Sequence, residues 1–141
     1  MAAPSNAATA LRRVDLFSSL SDKSLGRLAT RTSTVQHAPG KEVAIEGRTG
    51  IGFHLLLDGS AEVLVGDRPV RTLGPGDYFG EISLIDGKPR SATVRTAGGM
   101  TTLSLPAWGF APLLDEEPAI CKALLLALCG RLRTAEAREH S

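Results

Sequence analysis

Hydrophobic residues near the N-terminus recur at the spacing of an amphipathic helix. Leu25, Leu28 and Ala29 occupy positions i, i+3 and i+4, which places them on one helical face. Ser21 precedes this face, and its hydroxyl can accept a hydrogen bond from the first turn, so the helix is predicted to begin there. Residues 1–9 are rich in Ala, Pro, Ser and Asn and are predicted to form a flexible arm.

Between residues 33 and 105 the pattern changes to short apolar or alternating runs. These runs are Thr34–Gln36, Glu42–Ile45, Phe53–Leu57, Ala61–Val65, Val70–Leu73, Ala92–Arg95 and Thr101–Leu105. Turn-forming residues separate them, among them Pro39-Gly40, Asp58-Gly59 and Gly98-Gly99. Runs of this length and spacing predict an all-β sandwich or barrel. No helical pattern interrupts them, which disfavours a parallel sheet with crossover helices.

After Pro106 the helical pattern returns, and helices are predicted over about 107–138. The longer one is predicted to run from about Ala119 to Arg138, with Pro118 near its first turn. Its apolar residues extend almost all round the helix, and such a helix is usually buried in a core or against a partner chain. A lid on the core and a homodimer interface both remain open. The arginines that follow, Arg131 and Arg133, are interpreted as a solvated helix end.

Length, charge and hydropathy restrict the class of protein. The chain has 141 residues, 16 of them basic and 15 acidic, with a net charge of +1. The length fits a single domain, assigned to residues 10–141, and the balanced charge argues against direct binding to nucleic acid by this chain. The longest apolar run, Ala123–Cys129, is too short to span a membrane. The N-terminus lacks the apolar segment of a signal peptide. These observations predict a cytoplasmic location, and the Arg-, Ala- and Gly-rich composition suggests a bacterial source.

Cysteine and histidine offer little candidate chemistry. Cys121 and Cys129 would lie about 12 Å apart along one helix, too far for a disulfide. His37, His54 and His140 are too dispersed along the chain for the close ligand spacing of a metal site. No metal and no cofactor are therefore predicted.

The candidate chemistry lies between Gly74 and Thr96, in the sequence GPGDYFGEISLIDGKPRSATVRT. Gly80 has no Cβ, so its backbone N–H can approach an anion closely. Residues 81–84 could form one helical turn whose N-terminus adds a favourable dipole. Arg90 can donate two hydrogen bonds to phosphate oxygens, and Ser91 adds a hydroxyl donor. Together these groups predict a phosphate-binding segment.

A glutamate beside a phosphate, such as Glu81, needs a hydrogen-bond donor of its own. A carboxylate would repel the phosphate, but it could accept a hydrogen bond from a sugar hydroxyl while Arg90 screens the two charges from each other. The predicted ligand is therefore a phosphate ester with an adjacent ribose hydroxyl. Apolar residues could form a wall for the base, namely Val70, Leu73 and Ile82.

The runs FGEISL and PRSAT in this segment closely resemble the phosphate-binding cassette of cyclic nucleotide-binding domains. That family includes catabolite-activator-type regulators, cyclic-nucleotide-dependent kinases and gated channels. The resemblance extends over most of the chain, through LFSSLSDKSLGRLA, PGKEVAIEG, FHLLLDGSAEVLV and LLLALCGRLR. It implies a double-stranded β-helix, or jelly roll, of about eight strands over about 33–105, with a helix before it and helices after it.

The resemblance also implies a ligand and a set of site residues. It assigns Gly80, Arg90, Ser91 and the N–H of Ala92 to the cyclic phosphate and Glu81 to the ribose 2′-hydroxyl. Serine at position 91 favours cAMP over cGMP. The predicted ligand-binding set is Gly80, Glu81, Ile82, Ser83, Arg90, Ser91 and Ala92. The candidates for a base wall or lid are Val70, Leu73, Thr93, Arg133 and Thr134.

The resemblance implies a regulatory sensor without enzymatic activity. Binding of the cyclic nucleotide is expected to move the C-terminal helix and so to signal to an effector protein or domain that the sequence does not identify. Two alternatives from other classes remain. One is a nucleotide-independent protein-interaction module of the same fold, and the other is a jelly-roll metal enzyme, which the scattered histidines disfavour. A DNA-binding regulator is a third interpretation only if the chain is part of a longer protein.

Overall fold

The computed structural model describes residues 6–48 and 52–140, without the side chains of residues 82–84 and 140. The elements in chain order are α1 (Ala7–Arg12), α2 (Asp22–Ala29), β1 (Ser33–His37), β2 (Glu42–Ala44), β3 (Gly52–Val65), β4 (Arg68–Leu73), β5 (Tyr78–Phe79), α3 (Glu81–Asp86), β6 (Thr93–Pro106), α4 (Ala107–Glu116) and α5 (Pro118–His140). Helices flank an antiparallel β structure at both ends, as predicted. Among the described residues no helix has the length and apolar character needed to cross a membrane.

The ends of the helices follow the local sequence closely. The backbone N–H of Ser24 donates to Ser21 Oγ at 3.1 Å, so Ser21 caps α2 as predicted. Pro118 is the first residue of α5, a position where the missing N–H has no helical partner in any case. Helix α1 begins at Ala7, which is buried. It therefore includes residues 7–9 of the predicted flexible arm, while residues 1–5 lie outside the described part of the chain.

The sheet order is β1-β6-β3-β4, with β2 paired to β6 and β5 paired to β3. The described residues form six strands instead of about eight, because β3 and β6 are each 14 residues long. Each combines two runs that the sequence separates. Asp58-Gly59, predicted as a turn, lies inside β3 and pairs with Thr101 and Met100 of β6. The register of the two strands shifts on each side of this pair. Gly59 has φ of +88° and lies against the Gly99 backbone, so glycine here permits a β-bulge instead of a chain reversal.

Alternation along β3 divides the interior into two hydrophobic clusters. Phe53 and Leu55 face the helices and pack with Phe17, Phe110 and residues of α5, whereas neighbouring Leu56 faces the inside of the barrel. The cluster inside the barrel consists of Ala44, Leu56, Ala61, Leu73, Phe79, Val94 and Met100. The candidate ligand-binding segment lies where β5 and α3 meet this inner cluster.

Helix α5 has one buried face and one exposed face. Ile120, Ala123 and Leu124 are buried in the cluster on the helical side. Leu125, Leu126 and Leu132 are each more than half exposed. The cysteines of this helix, Cys121 and Cys129, are both free. The helix is therefore part of the core and also presents an apolar surface to solvent.

A chain of polar side chains crosses the interior of the barrel. The Nδ1 of His54 is 2.7 Å from Ser104 Oγ, which is 2.9 Å from Thr102 Oγ1, which is 2.9 Å from His37 Nε2. All four residues are buried. The ring of His54 also stacks on Phe79, with the ring centroids 5.0 Å apart. Burial, together with the positive charges of Arg90 and Lys41 and the neighbouring His37, lowers the pKa of His54 to about 3.

Acidification is expected to destabilise the fold through His54. Its pKa is about 3 in the folded chain and about 6.5 in the unfolded chain, so below pH 6.5 the unfolded state binds more protons. The free energy of unfolding should therefore fall by up to about 1.4 kcal/mol per pH unit as the pH drops from about 6.5 towards 3. Urea unfolding at pH 7 and at pH 5 measures this slope. The His54→Gln variant should show a shallower slope, and an unchanged slope would contradict the assignment to His54.

Candidate functional site

The phosphate-binding segment is organised around Gly80, between β5 and α3. Gly80 has φ of +89°, and a Cβ built there would collide with the carbonyl oxygen of Gly52 and with Nη1 of Arg90. A side chain at this position would therefore be strained and would displace the guanidinium. Helix α3 follows directly, as predicted, and begins with Glu81. Glycine here lets the backbone and the Arg90 guanidinium approach each other.

Arg90 is held in place by both its backbone and its side chain. Its N–H donates to the carbonyl of Arg48 at 2.8 Å, and its carbonyl accepts from the N–H of Gly47 at 2.9 Å. Its Nη2 donates to the carbonyl of Gly52 at 2.5 Å. The residue is only 7% exposed. These contacts fix a guanidinium in the protein interior without a carboxylate hydrogen bonded to it.

The charges of Arg90 and Glu81 are incompletely satisfied by the protein. Arg90 Nε and Glu81 Oε2 are both buried without a hydrogen-bond partner, which is costly unless another group supplies the partner. Burial lowers the pKa of Arg90, and the charge of Glu81 acts in the opposite direction. The guanidinium stays protonated, since an arginine does not lose its proton in a protein. A ligand with an anionic group and a hydroxyl would satisfy both side chains.

A cavity of about 390 Å³ brings most of the predicted residues together. Those lining it are Gly80, Glu81, Arg90, Ser91, Ala92, Val70 and Leu73. The other lining residues are Ala44, Val63, Arg71, Tyr78, Phe79 and Val94. The volume is within the range of small-molecule sites. The lining combines the charged side chains of Arg71, Glu81 and Arg90 with apolar strand residues.

Some predicted residues lie elsewhere. Thr93 does not line the cavity, and its Oγ1 accepts from the N–H of Glu46. Arg133 is exposed. Thr134 donates to the carbonyl of Gly130 within α5 and lies in a different surface groove. The side chains of Ile82 and Ser83 are outside the described part of the chain.

The residue of α5 that reaches the site is Arg131, which the sequence interpretation placed at a solvated helix end. Its Nη1 lies 3.5 Å from Glu81 Oε1, and its Nη2 lies 3.3 Å from Asp15 Oδ1. Arg131 also donates to the hydroxyl of Tyr78, which in turn donates to Asp15. The sequence contains no signal that selects Arg131 over its neighbours, because the packing of α5 decides which arginine faces α3.

Burial and charge shift the pKa values within this network. Burial, and then the hydrogen bond to Asp15, raise the pKa of Tyr78 well above its usual value. Burial alone would raise the pKa of Asp15, but its hydrogen bonds with Tyr78 and Arg131 lower it overall. Burial alone would lower the pKa of Arg131, but the hydrogen bond and charge of Asp15 and the charges of Tyr78 and Glu81 raise it overall. The network thus links the N-terminal segment, β5, α3 and α5 through ion pairs and hydrogen bonds.

The described residues offer no candidate metal site. Among residues 6–48 and 52–140, no group of three or more His, Cys, Asp and Glu side chains is arranged to hold a metal ion. The described residues form a jelly-roll domain with a cavity whose lining includes Arg90 and Glu81.

Comparison with known proteins agrees with this description. Residues 34–117 match the family model described as the cyclic nucleotide-binding domain. The chain is 37% identical over 114 residues to the cAMP-dependent protein kinase regulatory subunit of Emericella nidulans, covering 79% of this chain and 28% of that protein. It is 36% identical over 84 residues to the cGMP-dependent protein kinase of Toxoplasma gondii, covering 60% of this chain and 8% of that protein. The chain belongs to the cyclic nucleotide-binding domain family.

A solved structure shares the fold as well. The N-terminal domain of a transcriptional regulator from Streptomyces coelicolor superimposes with a TM-score of 0.81 and 29% sequence identity, covering 92% of this chain and 94% of that one. The family and the jelly-roll fold implied by the cassette motif are thus confirmed. The chain spans about a quarter or less of the curated relatives described above. Both of those relatives are eukaryotic, so the comparisons do not support the bacterial source that the composition suggests.

Proposed function

We propose that this domain is a sensor that binds cAMP reversibly, in preference to cGMP, and performs no chemistry on it. The observation that carries the proposal is the pairing of Arg90 and Glu81 in one cavity, each with a buried polar atom that lacks a partner. Arg90 and the Gly80 backbone would bind the cyclic phosphate, with Ser91 as a further donor. Glu81 would accept from the ribose hydroxyl. One arginine and one glutamate, each with a buried unpartnered atom, match the two polar groups of the ligand.

The preference for cAMP rests on Ser91. Serine at this position favours cAMP by resemblance to the family. Val63, Val70 and Leu73 line the cavity with apolar surface, which suits the flat face of a purine of either kind. One of the relatives described above is named for dependence on cAMP and the other for dependence on cGMP. The base preference is therefore the part of the proposal that most needs measurement.

The contact between Arg131 and Glu81 supports a ligand-driven movement of α5. The ribose hydroxyl would bind the unpartnered Glu81 Oε2, and Arg131 Nη1 lies 3.5 Å from Oε1 of the same carboxylate. A ligand shifts a conformational equilibrium only by its difference in affinity for the two states. A ligand hydroxyl that shares the negative charge of Glu81 with Arg131 would have such a difference, because the position of Arg131 depends on the position of α5. Binding would weaken the connection of α5 to α3 and leave Arg131 with Asp15 and Tyr78.

The output would pass to an effector outside the described residues. The Emericella nidulans relative is a regulatory subunit of a protein kinase, so a protein kinase is the class of effector that we favour. The location predicted for this process is the cytoplasm. The exposed apolar face of α5, with Leu125, Leu126 and Leu132, would suit the effector or a second copy of the chain. The same face favours a second candidate function, a protein-interaction module that does not depend on nucleotide.

Titration calorimetry with cAMP, cGMP and 5′-AMP distinguishes these functions. We expect micromolar or tighter binding of cAMP, weaker binding of cGMP and no detectable binding of 5′-AMP, because 5′-AMP lacks the cyclic phosphate that Arg90 and the Gly80 backbone would bind. Equal affinities for the two cyclic nucleotides would remove the base preference but not the sensor. Folded protein that releases no heat with any of them would favour the interaction module.

Tryptophan fluorescence in the same titration reports on the helices. Trp108 is the single tryptophan of the chain, lies on α4 and is 80% exposed. Because α4 contacts α5, a movement of α5 should change the emission of Trp108 along the same saturation curve as the heat. Heat without any change in emission would contradict the helix movement and leave the binding intact.

A further inference from the structure

The barrel contains a second cavity, of about 400 Å³, that the nucleotide site does not use. It is lined by Ser33, Val35, His37, Lys41, Val43, Gly52, His54, Ser104, Leu105 and Pro106. It shares no lining residue with the cavity that contains Arg90. Two contacts join the linings of the two cavities: the stack of His54 on Phe79, and the hydrogen bond from Arg90 to Gly52. The two cavities are therefore adjacent but separate.

One polar group in the lining of the second cavity has no partner. His37 is 7% exposed, and its Nδ1 is buried without a hydrogen bond. The other ring nitrogen, Nε2, is engaged with Thr102 Oγ1 at the end of the polar chain. A buried nitrogen that forms no hydrogen bond is rare in folded proteins and calls for a partner. A ligand in the cavity would supply one.

The polar chain allows His37 to act as a donor. Each hydroxyl in it can donate one hydrogen bond and accept another. When the Nδ1–H of His54 donates to Ser104, Ser104 donates to Thr102, and Thr102 donates to His37 Nε2, the proton of His37 must be on Nδ1. The unpartnered nitrogen is then a buried N–H group of a residue that lines the cavity. An acceptor on the ligand would satisfy it.

A positive charge is also part of the lining. Lys41 is exposed, and its ammonium forms no ion pair with any residue in the described part of the chain. It is close enough to the histidines that, after burial itself, its charge helps to lower the pKa of His37. An unpaired ammonium and a free N–H donor both favour an anionic acceptor. The remaining lining is mainly apolar, with Val35, Val43 and Leu105.

We propose that the second cavity binds a small carboxylate with an apolar body. The carboxylate would pair with the ammonium of Lys41 and accept a hydrogen bond from His37 Nδ1. The apolar body would lie among Val35, Val43, Leu105 and Pro106. A planar aromatic or short aliphatic acid has this composition. None of the residues named here lines the cassette cavity, so the carboxylate and the cyclic nucleotide would occupy different cavities.

The experiment titrates the isolated chain, labelled with ¹⁵N, with 2-naphthoate and separately with 2-naphthamide. The acid and the amide have the same shape but differ in charge. With the acid, we expect saturable shifts of the backbone amide signals of residues that line the second cavity, including Gly52 and Ser104. The amide should bind about tenfold more weakly or not at all. Equal affinities of the two compounds, or shifts confined to the cassette, would overturn the proposal.

Lys41→Met tests the charge directly and preserves the fold, because Lys41 is exposed. It should weaken naphthoate binding about threefold to tenfold, as expected for a partly exposed ion pair. Lys23→Met removes another exposed charge, on α2, from a residue that does not line the cavity, and should leave the affinity unchanged. If both variants bound naphthoate as tightly as the parent chain, or if both bound it equally weakly, Lys41 would have no specific role in binding. Titration with cAMP is a separate readout, so failure here does not bear on the nucleotide site.

Discussion

Replacement of Arg90 by alanine is expected to reduce the affinity for cAMP by about 30-fold to about 5,000-fold. This corresponds to about 2–5 kcal/mol, the usual cost of truncating one partner of a buried, hydrogen-bonded charge pair. Arg90 is buried with an unpartnered Nε, and its backbone is fixed by residues 47 and 48. Little reorganisation is therefore needed before it binds a phosphate. Titration calorimetry of the parent chain and the variant measures the loss.

Two further variants separate the charge from the shape of the side chain. Arg90→Lys keeps the positive charge but loses the planar fork, so it should fall between the parent and the alanine variant. Arg95→Ala removes an exposed arginine that pairs with Glu42 at 3.2 Å, and it should leave the affinity for cAMP within about twofold, since exposed ion pairs contribute little. If Arg90→Ala bound cAMP as tightly as the parent chain, the assignment of the cassette would be wrong.

Substitution of Gly80 by alanine is expected to weaken cAMP binding by about tenfold or more and also to destabilise the fold. The positive φ of Gly80 costs an alanine about 1–3 kcal/mol. The added Cβ would in addition collide with the guanidinium of Arg90 and the carbonyl of Gly52. Arg90 would have to move away from the position where it binds the phosphate. Calorimetry measures the affinity, and urea unfolding measures the stability.

Gly76→Ala is a matched control for this substitution. Gly76 has a similar φ of +93°, but a Cβ built there has no atom within 4 Å. This variant should therefore lose stability to a similar degree through backbone strain and keep its affinity for cAMP. If the two variants lost affinity equally, backbone strain alone would account for the effect, and the close approach of Gly80 to Arg90 would have no role in binding.

The chemistry of the cassette could be inferred from sequence because it is encoded locally. Gly80 and Glu81 are adjacent, and Arg90, Ser91 and Ala92 follow within one short segment. The helical turn at Glu81 and the need for glycine at position 80 are properties of neighbouring residues. The structure places all five around one cavity. In the same way, Ser21 and Pro118 mark the starts of their helices, because capping depends on a few consecutive residues.

The number of strands could not be inferred in this way. Asp58-Gly59 and Gly98-Gly99 have the composition of turns, and nothing in the local sequence distinguishes a turn from a bulge. The distinction depends on the partner strand. Gly59 of β3 lies against Gly99 of β6, so the two pairs of residues accommodate each other, and both strands continue. Two predicted pairs of short strands are therefore two long strands.

The sequence by itself determined the family and the starts of α2 and α5, and it predicted the residues of the phosphate-binding segment, because each depends on residues that are close together along the chain. The tertiary structure alone decided that Arg131, rather than Arg133 or Thr134, reaches Glu81. It also decided that His37 and His54 join one buried polar chain beside a second cavity. These residues are far apart in sequence, and their contacts arise only when β1, β3, β6 and α5 pack together. Packing selects which side of each element faces inward, and no short stretch of sequence contains that information.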